Sequence, residues 1–322
     1  MTALRSGALR IAAYPVVAFW VFFAIFPFIV PNRTMATQVL IFGLFAMGFN
    51  LLYGYTGLLS FGHAAYYGLG AYGCGIALAK LHVSSLWLGL GAGFGLAALG
   101  GVVIGFFCLR RRGIYFAMLT LAFAQLLYFI GFHLSDWTGG DDGLRGIPQL
   151  ALGVGPWHYS IETTIGFYYF AYILVGLAVL VLKRILDSPF GAVLQAIREN
   201  SSRATACGYD VDRVKHLSFV FSACFAGLAG SLDALRLTVV PVESLYWTTS
   251  GQVVMMTLLG GAGTFFGPFI GAATYLVLEE RLSLVLESWP LVIGAIFSAF
   301  VLFLPKGIWG TLTGGIHGRQ SA

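Results

Sequence analysis

The sequence predicts an all-α integral membrane protein, because 58% of its residues are hydrophobic and only 10% are charged. Soluble domains carry about 25% charged residues. Glycine is abundant, with 43 residues and no collagen-like period, and transmembrane helices use glycine to bring their backbones close together. The alternating pattern of a membrane β-barrel does not occur in the sequence.

Apolar segments of about the length that crosses a bilayer follow one another along the chain. We predict ten spans in a single transmembrane domain, 1–322, at 12–30, 36–53, 57–79, 86–109, 114–134, 165–182, 217–235, 251–262, 265–281 and 289–304. Glycines and Pro268 interrupt the eighth and ninth spans between 260 and 268. Such interruptions favour short or re-entrant pieces there.

The distribution of charge predicts that both termini are cytoplasmic. If the N-terminus is inside and the spans alternate, the inner segments hold 13 of the 18 lysines and arginines, and the outer segments hold eight of the 13 acids. This asymmetry follows the positive-inside rule. Two connections are long: a periplasmic loop at 135–164 and a cytoplasmic loop at 183–216.

The cytoplasmic loop is rich in charge but has the pattern of two helices. Ser188 and Pro189 suit the N-cap and the first helical position, and apolar residues then recur at helical spacing at Phe190, Val193, Leu194 and Ile197. Ser201 or Ser202 is expected to cap a second short helix over 203–207. Gly208 would end that helix in the left-handed conformation.

Two interpretations of this helix pair remain open from the residues alone. It could lie on lipid headgroups as an interfacial element, or it could dock a soluble partner protein. Mixed charge beside an apolar face favours the partner. No Gly-Lys pair occurs anywhere, so a Walker A phosphate loop is excluded, and H-E-x-x-H, C-x-x-C and G-x-S-x-G motifs are also missing from the sequence. The sequence therefore predicts no enzyme activity, no catalytic residue and no metal site in this chain.

Three separate stretches carry a family resemblance. They are YGYTGLLSFGHAAYYGLGAY at 53–72, SPFGAVLQAIREN with RATACGY within 188–209, and GGAGTFFGPFIGAA at 260–273. In this order they resemble the signature regions of branched-chain amino-acid ABC importer permeases of the LivM type. The FLPKGIWG run at 303–310 resembles the C-terminal end of that family.

The resemblance implies a type II ABC-importer-like permease, multi-pass in the bacterial inner membrane, that carries branched-chain amino acids. Its expected partners are a second, LivH-like permease, two LivG/LivF-like ATPase subunits, a periplasmic substrate-binding protein and membrane lipids, with no nucleic acid. ATP and Mg²⁺ would bind to the ATPase subunits, and this chain would hold no cofactor of its own. Related permeases also serve urea and short amides, which remains an alternative.

In this family the inner helix pair is the segment that couples the permease to the ATPase. The residues that match the family pattern are Ser188, Pro189, Phe190, Gly191, Ala196, Ile197, Arg198, Glu199, Asn200, Arg203, Ala204, Ala206, Gly208 and Tyr209. Ala192 and Gln195 depart from it, since arginine is usual at both positions, and the other departures are Ser201, Ser202, Thr205 and Cys207.

A translocation path is expected where glycines interrupt helices, because such breaks are tolerated in a membrane only when they are buried or beside water. The runs GHAAYYG at 62–68 and GAGTFFG at 261–267 share one pattern. The predicted path residues are Gly62, His63, Tyr66, Tyr67, Gly68, Gly261 and Gly263. The alternative is structural, with packed tyrosines and a neutral, hydrogen-bonded His63.

Other polar residues within spans are expected to be structural. Asp233 and Arg236 have helical pair spacing, and Asn50 and Gln125 are expected to hold helices together by hydrogen bonds. A free-standing secondary transporter or channel is a further alternative. It would need its own ion-coupling carboxylates, for which Asp233 is the one candidate.

Overall fold

The computed structural model describes residues 20–28, 32–148, 152–154, 157–159, 163–304 and 306–311. Helices make up most of these residues. In chain order they are α1 (20–28), α2 (Arg33–Asn50), α3 (His63–Ala79), α4 (Leu86–Cys108), α5 (Ile114–His133), α6 (Ser135–Thr138), α7 (Thr164–Leu186), α8 (Pro189–Ala206), α9 (Val211–Leu237), α10 (Trp247–Gly260), α11 (Gly267–Ser283) and α12 (Trp289–Phe303). A π-helical turn over Leu51–Tyr55 continues α2, and a last helical turn covers 307–311.

Six stretches of the described chain are long and apolar enough to cross a membrane. They are Arg33–Tyr55, Leu86–Cys108, Ile114–His133, Thr164–Leu186, Val211–Leu237 and Trp289–Thr311. The helices α3, α10 and α11 are shorter, with 17, 14 and 17 residues. The first predicted span, 12–30, lies partly outside the described residues, and three of the basic residues counted on the inner side, Arg5, Arg10 and Arg319, lie entirely outside them. The membrane-embedded helical class is confirmed, and the count of ten spans stays a prediction.

The boundaries of the third predicted span are wrong, because helix α3 begins at His63 rather than at 57. Residues 56–62, the first loop, are not helical, and Gly57 has φ +79°. Hydropathy could not reveal this loop, since Leu58, Leu59 and Phe61 are as apolar as a span. The predicted break between α10 and α11 is confirmed: residues 261–266, the second loop, are not helical.

The core lies where α3, α4 and α9 pack against one another. Glycines let these helices touch backbone to backbone. A Cβ atom added to Gly70 would lie 2.1 Å from the Gly227 carbonyl oxygen, and one added to Gly230 would lie 1.9 Å from the Tyr67 carbonyl oxygen. The Ser231 hydroxyl donates a hydrogen bond to the Gly70 carbonyl (2.9 Å) across the same contact. This is the small-residue packing expected of membrane helices.

Short strands, which the sequence did not predict, occur in and after the 135–164 loop. Strand β1 (Leu144–Arg145) pairs antiparallel with β4 (Val239–Val240), and β2 (Leu152–Val154) forms a hairpin with β3 (Trp157–Tyr159). Leu144 and Val240 are buried and lie over Gly75 of α3. The β1–β4 pair therefore covers one end of the α3–α9 core.

Candidate functional site

The inner segment, defined as residues 188–209, is a broken helix. Helix α8 is interrupted at Asn200, which has the extended angles φ −159° and ψ 101°. Ser188 has the backbone of an N-cap (φ −84°, ψ 167°) and Pro189 follows it, as predicted. The Ser188 hydroxyl donates to the Ile185 carbonyl (2.6 Å) and makes no capping bond. The start of this helix therefore rests on backbone geometry and proline.

The apolar face of the first helix packs inward, as its spacing predicts. Leu194 and Ile197 are buried, and the Phe190 ring lies edge-to-face on Phe221 of α9, with the ring centres 5.9 Å apart. The apolar face thus packs against the chain itself, and it is not the partner-binding surface that the sequence suggested. The opposite side is exposed and carries Ala192, Gln195, Ala196 and Glu199.

The second helix, 201–206, is capped by Asn200 and not by Ser201 or Ser202 as predicted. The Asn200 Oδ1 atom accepts a hydrogen bond from the Arg203 backbone N–H (2.9 Å). Asparagine and serine are equally good N-caps, so the residue that takes the extended conformation becomes the cap.

The end of this helix matches its prediction. Gly208 has φ +89°, and its N–H donates to the Thr205 carbonyl (2.9 Å). The N–H of Tyr209 donates to the Ala204 carbonyl (3.3 Å). This pair of bonds is the Schellman motif.

The second helix borders an open hollow of about 380 Å³. Hydroxyl groups and charges of both signs line it, and the chain next to it continues into Asp210, which caps α9 by accepting from the Arg213 N–H (3.1 Å). The lining residues are Arg112, Ser201, Ser202, Thr205, Tyr209, Asp210, Val211 and Asp212. With Arg203 exposed nearby, this is the polar surface that the inner segment presents.

The Arg198 side chain reaches away from that surface. Its Nη1 atom donates a hydrogen bond to the Gly54 carbonyl at the end of α2. Its stem lies against the first loop, since a Cβ atom added to Gly57 would be 3.2 Å from Arg198 Cγ. Arg198 therefore joins the inner segment to the first signature region.

Asn50 joins α2 to the second loop, as its polar position within a span predicts. Its Oδ1 atom accepts from the Gly263 N–H (2.8 Å), and its Nδ2 atom donates to the Thr264 carbonyl (2.9 Å). Asn50 is 1% exposed, and its two bonds supply partners for backbone groups of the half-buried Gly263 and Thr264.

The predicted path residue His63 is fully buried at the start of α3. The Ser222 hydroxyl donates to the Gly48 carbonyl (2.6 Å), so its oxygen accepts from the His63 Nε2–H (2.7 Å). The other ring nitrogen, Nδ1, has no hydrogen-bond partner among the described residues. This geometry fits the hydrogen-bonded alternative for His63.

The other predicted path residues form two groups, one at the start of α3 and one in the second loop. Tyr66 and Tyr67 are buried, and their hydroxyl groups lack hydrogen-bond partners within the described chain. Gly62 and Gly68 are close-packing positions. A Cβ atom added to Gly62 would lie 2.5 Å from the Thr120 carbonyl oxygen, and one added to Gly68 would lie 2.3 Å from a Leu245 methyl group. The second group, Gly261 and Gly263, lies in the second loop, where Gly263 is beside Arg198. A path along these residues stays a prediction.

The remaining polar predictions have mixed outcomes. Asp233 and Arg236 form an ion pair with 2.7 Å between Oδ1 and Nε and about a tenth of each side chain exposed. The predicted hydrogen bond between helices is not made by the Gln125 amide nitrogen, because Nε2 is buried without a partner among the described residues. In the same residues, no group of three or more His, Cys, Asp or Glu side chains is arranged to hold a metal ion.

Several residues of the site were not foreseen from the sequence. Gly54 and Thr264 contribute backbone carbonyls, which leave no trace in side-chain patterns. Ser222 binds His63, and Ser250 accepts from the Ala64 N–H at the start of α3 (2.8 Å). A serine within an apolar segment is the one available signal for such contacts.

Comparison with known proteins shows which proteins this chain is similar to in sequence. Residues 33–304 match the family described as the permease component of the branched-chain amino acid transport system. The chain is 30% identical over 313 residues to the high-affinity branched-chain amino acid transport system permease protein LivM of Escherichia coli K12, covering 91% of this chain and 73% of that protein.

Two further relatives are also described as permease proteins of high-affinity branched-chain amino acid transport systems. The LivM protein of Salmonella typhimurium LT2 is 29% identical over 88% of this chain and 71% of its own length. The LivH permease of Escherichia coli K12 is 26% identical over 84% of this chain and 91% of its own length. No solved structure matches the chain significantly.

Proposed function

This chain belongs to the family of permease components of branched-chain amino acid transport systems, and from this premise we propose that it is the membrane subunit of an ATP-driven importer of branched-chain, hydrophobic amino acids. The observation that carries the proposal is the meeting of the three signature regions. Arg198 of the inner segment binds Gly54 of the first region and lies against Gly263 of the third.

The inner segment is the element through which an ATPase subunit would act. Its first helix is anchored to α9 by the buried apolar face. Its second helix and the adjoining hollow present hydroxyls, Arg203, Tyr209 and acidic groups to solvent. A short, capped helix that carries Arg203 and lies beside the acidic Asp210 and Asp212 is suited to a groove on a soluble protein. Residues 188–209 are accordingly assigned to ATPase coupling.

The complete transporter in this proposal sits in the bacterial inner membrane. It contains this chain, a LivH-like permease that shares the translocation path, two ATPase subunits that bind ATP and Mg²⁺, and a periplasmic substrate-binding protein. Ten crossings with both termini inside would place 183–216 in the cytoplasm and 135–164 in the periplasm, as the distribution of basic residues supports.

The test is transport by the assembled system. This chain is co-expressed with a LivH-like permease and two ATPase subunits of the same transporter class, reconstituted in vesicles and supplied with a substrate-binding protein. We expect leucine uptake only with ATP. Leucine uptake by this chain alone would refute the proposal in favour of a secondary transporter, and ATP-driven uptake of urea but not leucine would refute the proposed substrate.

A matched pair of charge reversals tests the coupling surface. Arg203→Glu should reduce ATPase binding and uptake at least tenfold, because it reverses an exposed charge on the proposed contact. Arg145→Glu is the control, since Arg145 is also exposed but lies in β1, within the loop predicted to be periplasmic. Equal effects of the two changes on ATPase binding would contradict the assignment of 188–209.

A further inference from the structure

Arg198 lies at the end of the first helix of the inner segment, two residues before the break at Asn200. Arg198 and Arg203, on either side of the break, are both exposed residues. They differ in their contacts, because the Arg198 guanidinium group donates to the Gly54 carbonyl of its own chain.

The Gly54 carbonyl lies at the C-terminal end of a helix, where it accepts a hydrogen bond from a side chain. In the π-helical turn, the Leu52 carbonyl accepts from the Leu58 N–H (3.0 Å) and the Tyr53 carbonyl accepts from the Gly57 N–H (3.1 Å). The next carbonyl in sequence, that of Gly54, receives Arg198. A cation at a helix C-terminus is favoured both by this hydrogen bond and by the negative end of the helix dipole.

The second loop closes on the same guanidinium. Gly263 has φ +81°, and a Cβ atom added there would lie 2.7 Å from Arg198 Nη1 and 3.2 Å from the Gly54 carbonyl oxygen. Gly54 is equally constrained, because its added Cβ would lie 2.5 Å from the Gly263 nitrogen. The Asn50 side chain then fixes Gly263 and Thr264 through two hydrogen bonds.

We propose that Arg198 is a positioning residue that ties the inner segment to both glycine-containing loops, so that movement of the second short helix reaches the ends of α2 and α10 together. The inference rests on the proposed function and gives this residue a role distinct from ATPase docking. Because the loops lead directly into α3 and α11, a shift of Arg198 would act on two helix pairs through a single group.

The first test uses the purified chain and needs no partner. Hydrogen exchange is measured for peptides that contain 54–62 and 261–266 in wild type, Arg198→Gln and the control Arg184→Gln. Arg184 is an exposed arginine in the last turn of α7. We expect Arg198→Gln to accelerate exchange in both loops at least tenfold, whereas Arg184→Gln leaves it unchanged. Unchanged exchange in both loops of Arg198→Gln would overturn the proposal.

The second test uses the reconstituted transporter and separates coupling from docking. Arg198→Gln should retain bound, ATP-hydrolysing subunits but transport about tenfold less leucine per ATP, and Arg198→Lys should recover part of the loss by keeping a cation near Gly54. Uptake per ATP equal to wild type, or release of the ATPase subunits with no change in loop exchange, would overturn the inference. Failure of wild-type vesicles to use ATP for uptake would instead overturn the proposed function.

Discussion

Replacing Gly230 with alanine should separate the two helices at the centre of the protein. The added Cβ atom would lie 1.9 Å from the Tyr67 carbonyl oxygen, 2.8 Å from the Tyr67 carbonyl carbon and 3.2 Å from the Ala71 nitrogen. All three atoms are backbone, so no side chain can rotate away, and α3 and α9 would have to move apart by more than an ångström. Overpacking costs about 1–3 kcal/mol, and a backbone clash belongs at the upper end of that range.

The same movement would stretch the contact from the Ser231 hydroxyl to the Gly70 carbonyl, but the hydroxyl keeps a second acceptor within α9, the Gly227 carbonyl at 2.9 Å, so no lost hydrogen bond is added. We therefore expect Gly230→Ala to lower the free energy of unfolding by about 3 kcal/mol. The assay is equilibrium denaturation of the purified chain in detergent, followed by tryptophan fluorescence.

The matched control is Gly95→Ala in α4. Among the described residues, no atom outside its own helix lies within 4 Å of a Cβ atom added at Gly95, and alanine is favoured over glycine in a helix by up to about 1 kcal/mol. The control should therefore be as stable as wild type or more so. A Gly230→Ala protein within about 0.5 kcal/mol of wild type, the range of neutral surface changes, would refute the account of close helix packing.

Three further changes test separate contacts. Asn50→Ala would leave the Gly263 N–H and the Thr264 C=O unpaired, at about 1–3 kcal/mol each, and faster hydrogen exchange at Gly263 would report it. Asp233→Asn would break a buried ion pair and destabilise the chain by about 3–5 kcal/mol; pairing it with Arg236→Met should restore part of the thermal stability. Gly208→Ala would force a side chain into φ +89° at a cost of about 1–2 kcal/mol and lower ATP-driven uptake, and unchanged uptake would contradict a defined Schellman turn in the coupling segment.

Local structure in the inner segment could be predicted from the sequence because its signals act over a few residues. Proline at the first helical position, four apolar residues at helical spacing and glycine at the end each predicted what the structure contains. The choice of Asn200 as the second cap could not be predicted, since the neighbouring residues are also good caps. Which one takes the extended conformation depends on how the first helix is seated on α9.

The connections among the signature regions could not be predicted, because they are made between side chains and distant backbone carbonyls. Arg198 and Gly54 are 144 residues apart, and a carbonyl acceptor has no sequence signature. The first loop was missed for a different reason: it is as hydrophobic as a transmembrane helix. The hydropathy of a segment indicates whether it is surrounded by lipid or by water, whereas its hydrogen bonds decide whether its backbone is helical.

Side chains that reach the two loops explain how these breaks can exist in a membrane protein. A helix that ends in an apolar environment leaves carbonyl and N–H groups whose burial costs free energy unless they are bonded. Asn50 and Arg198 supply those bonds at Gly54, Gly263 and Thr264. Arg198 belongs to the segment that we propose as the ATPase contact, so movement of such a partner would act on the group that bonds the Gly54 carbonyl in the π-helical turn. The contact that lowers the cost of breaking the helix would then also make the break responsive to the inner surface.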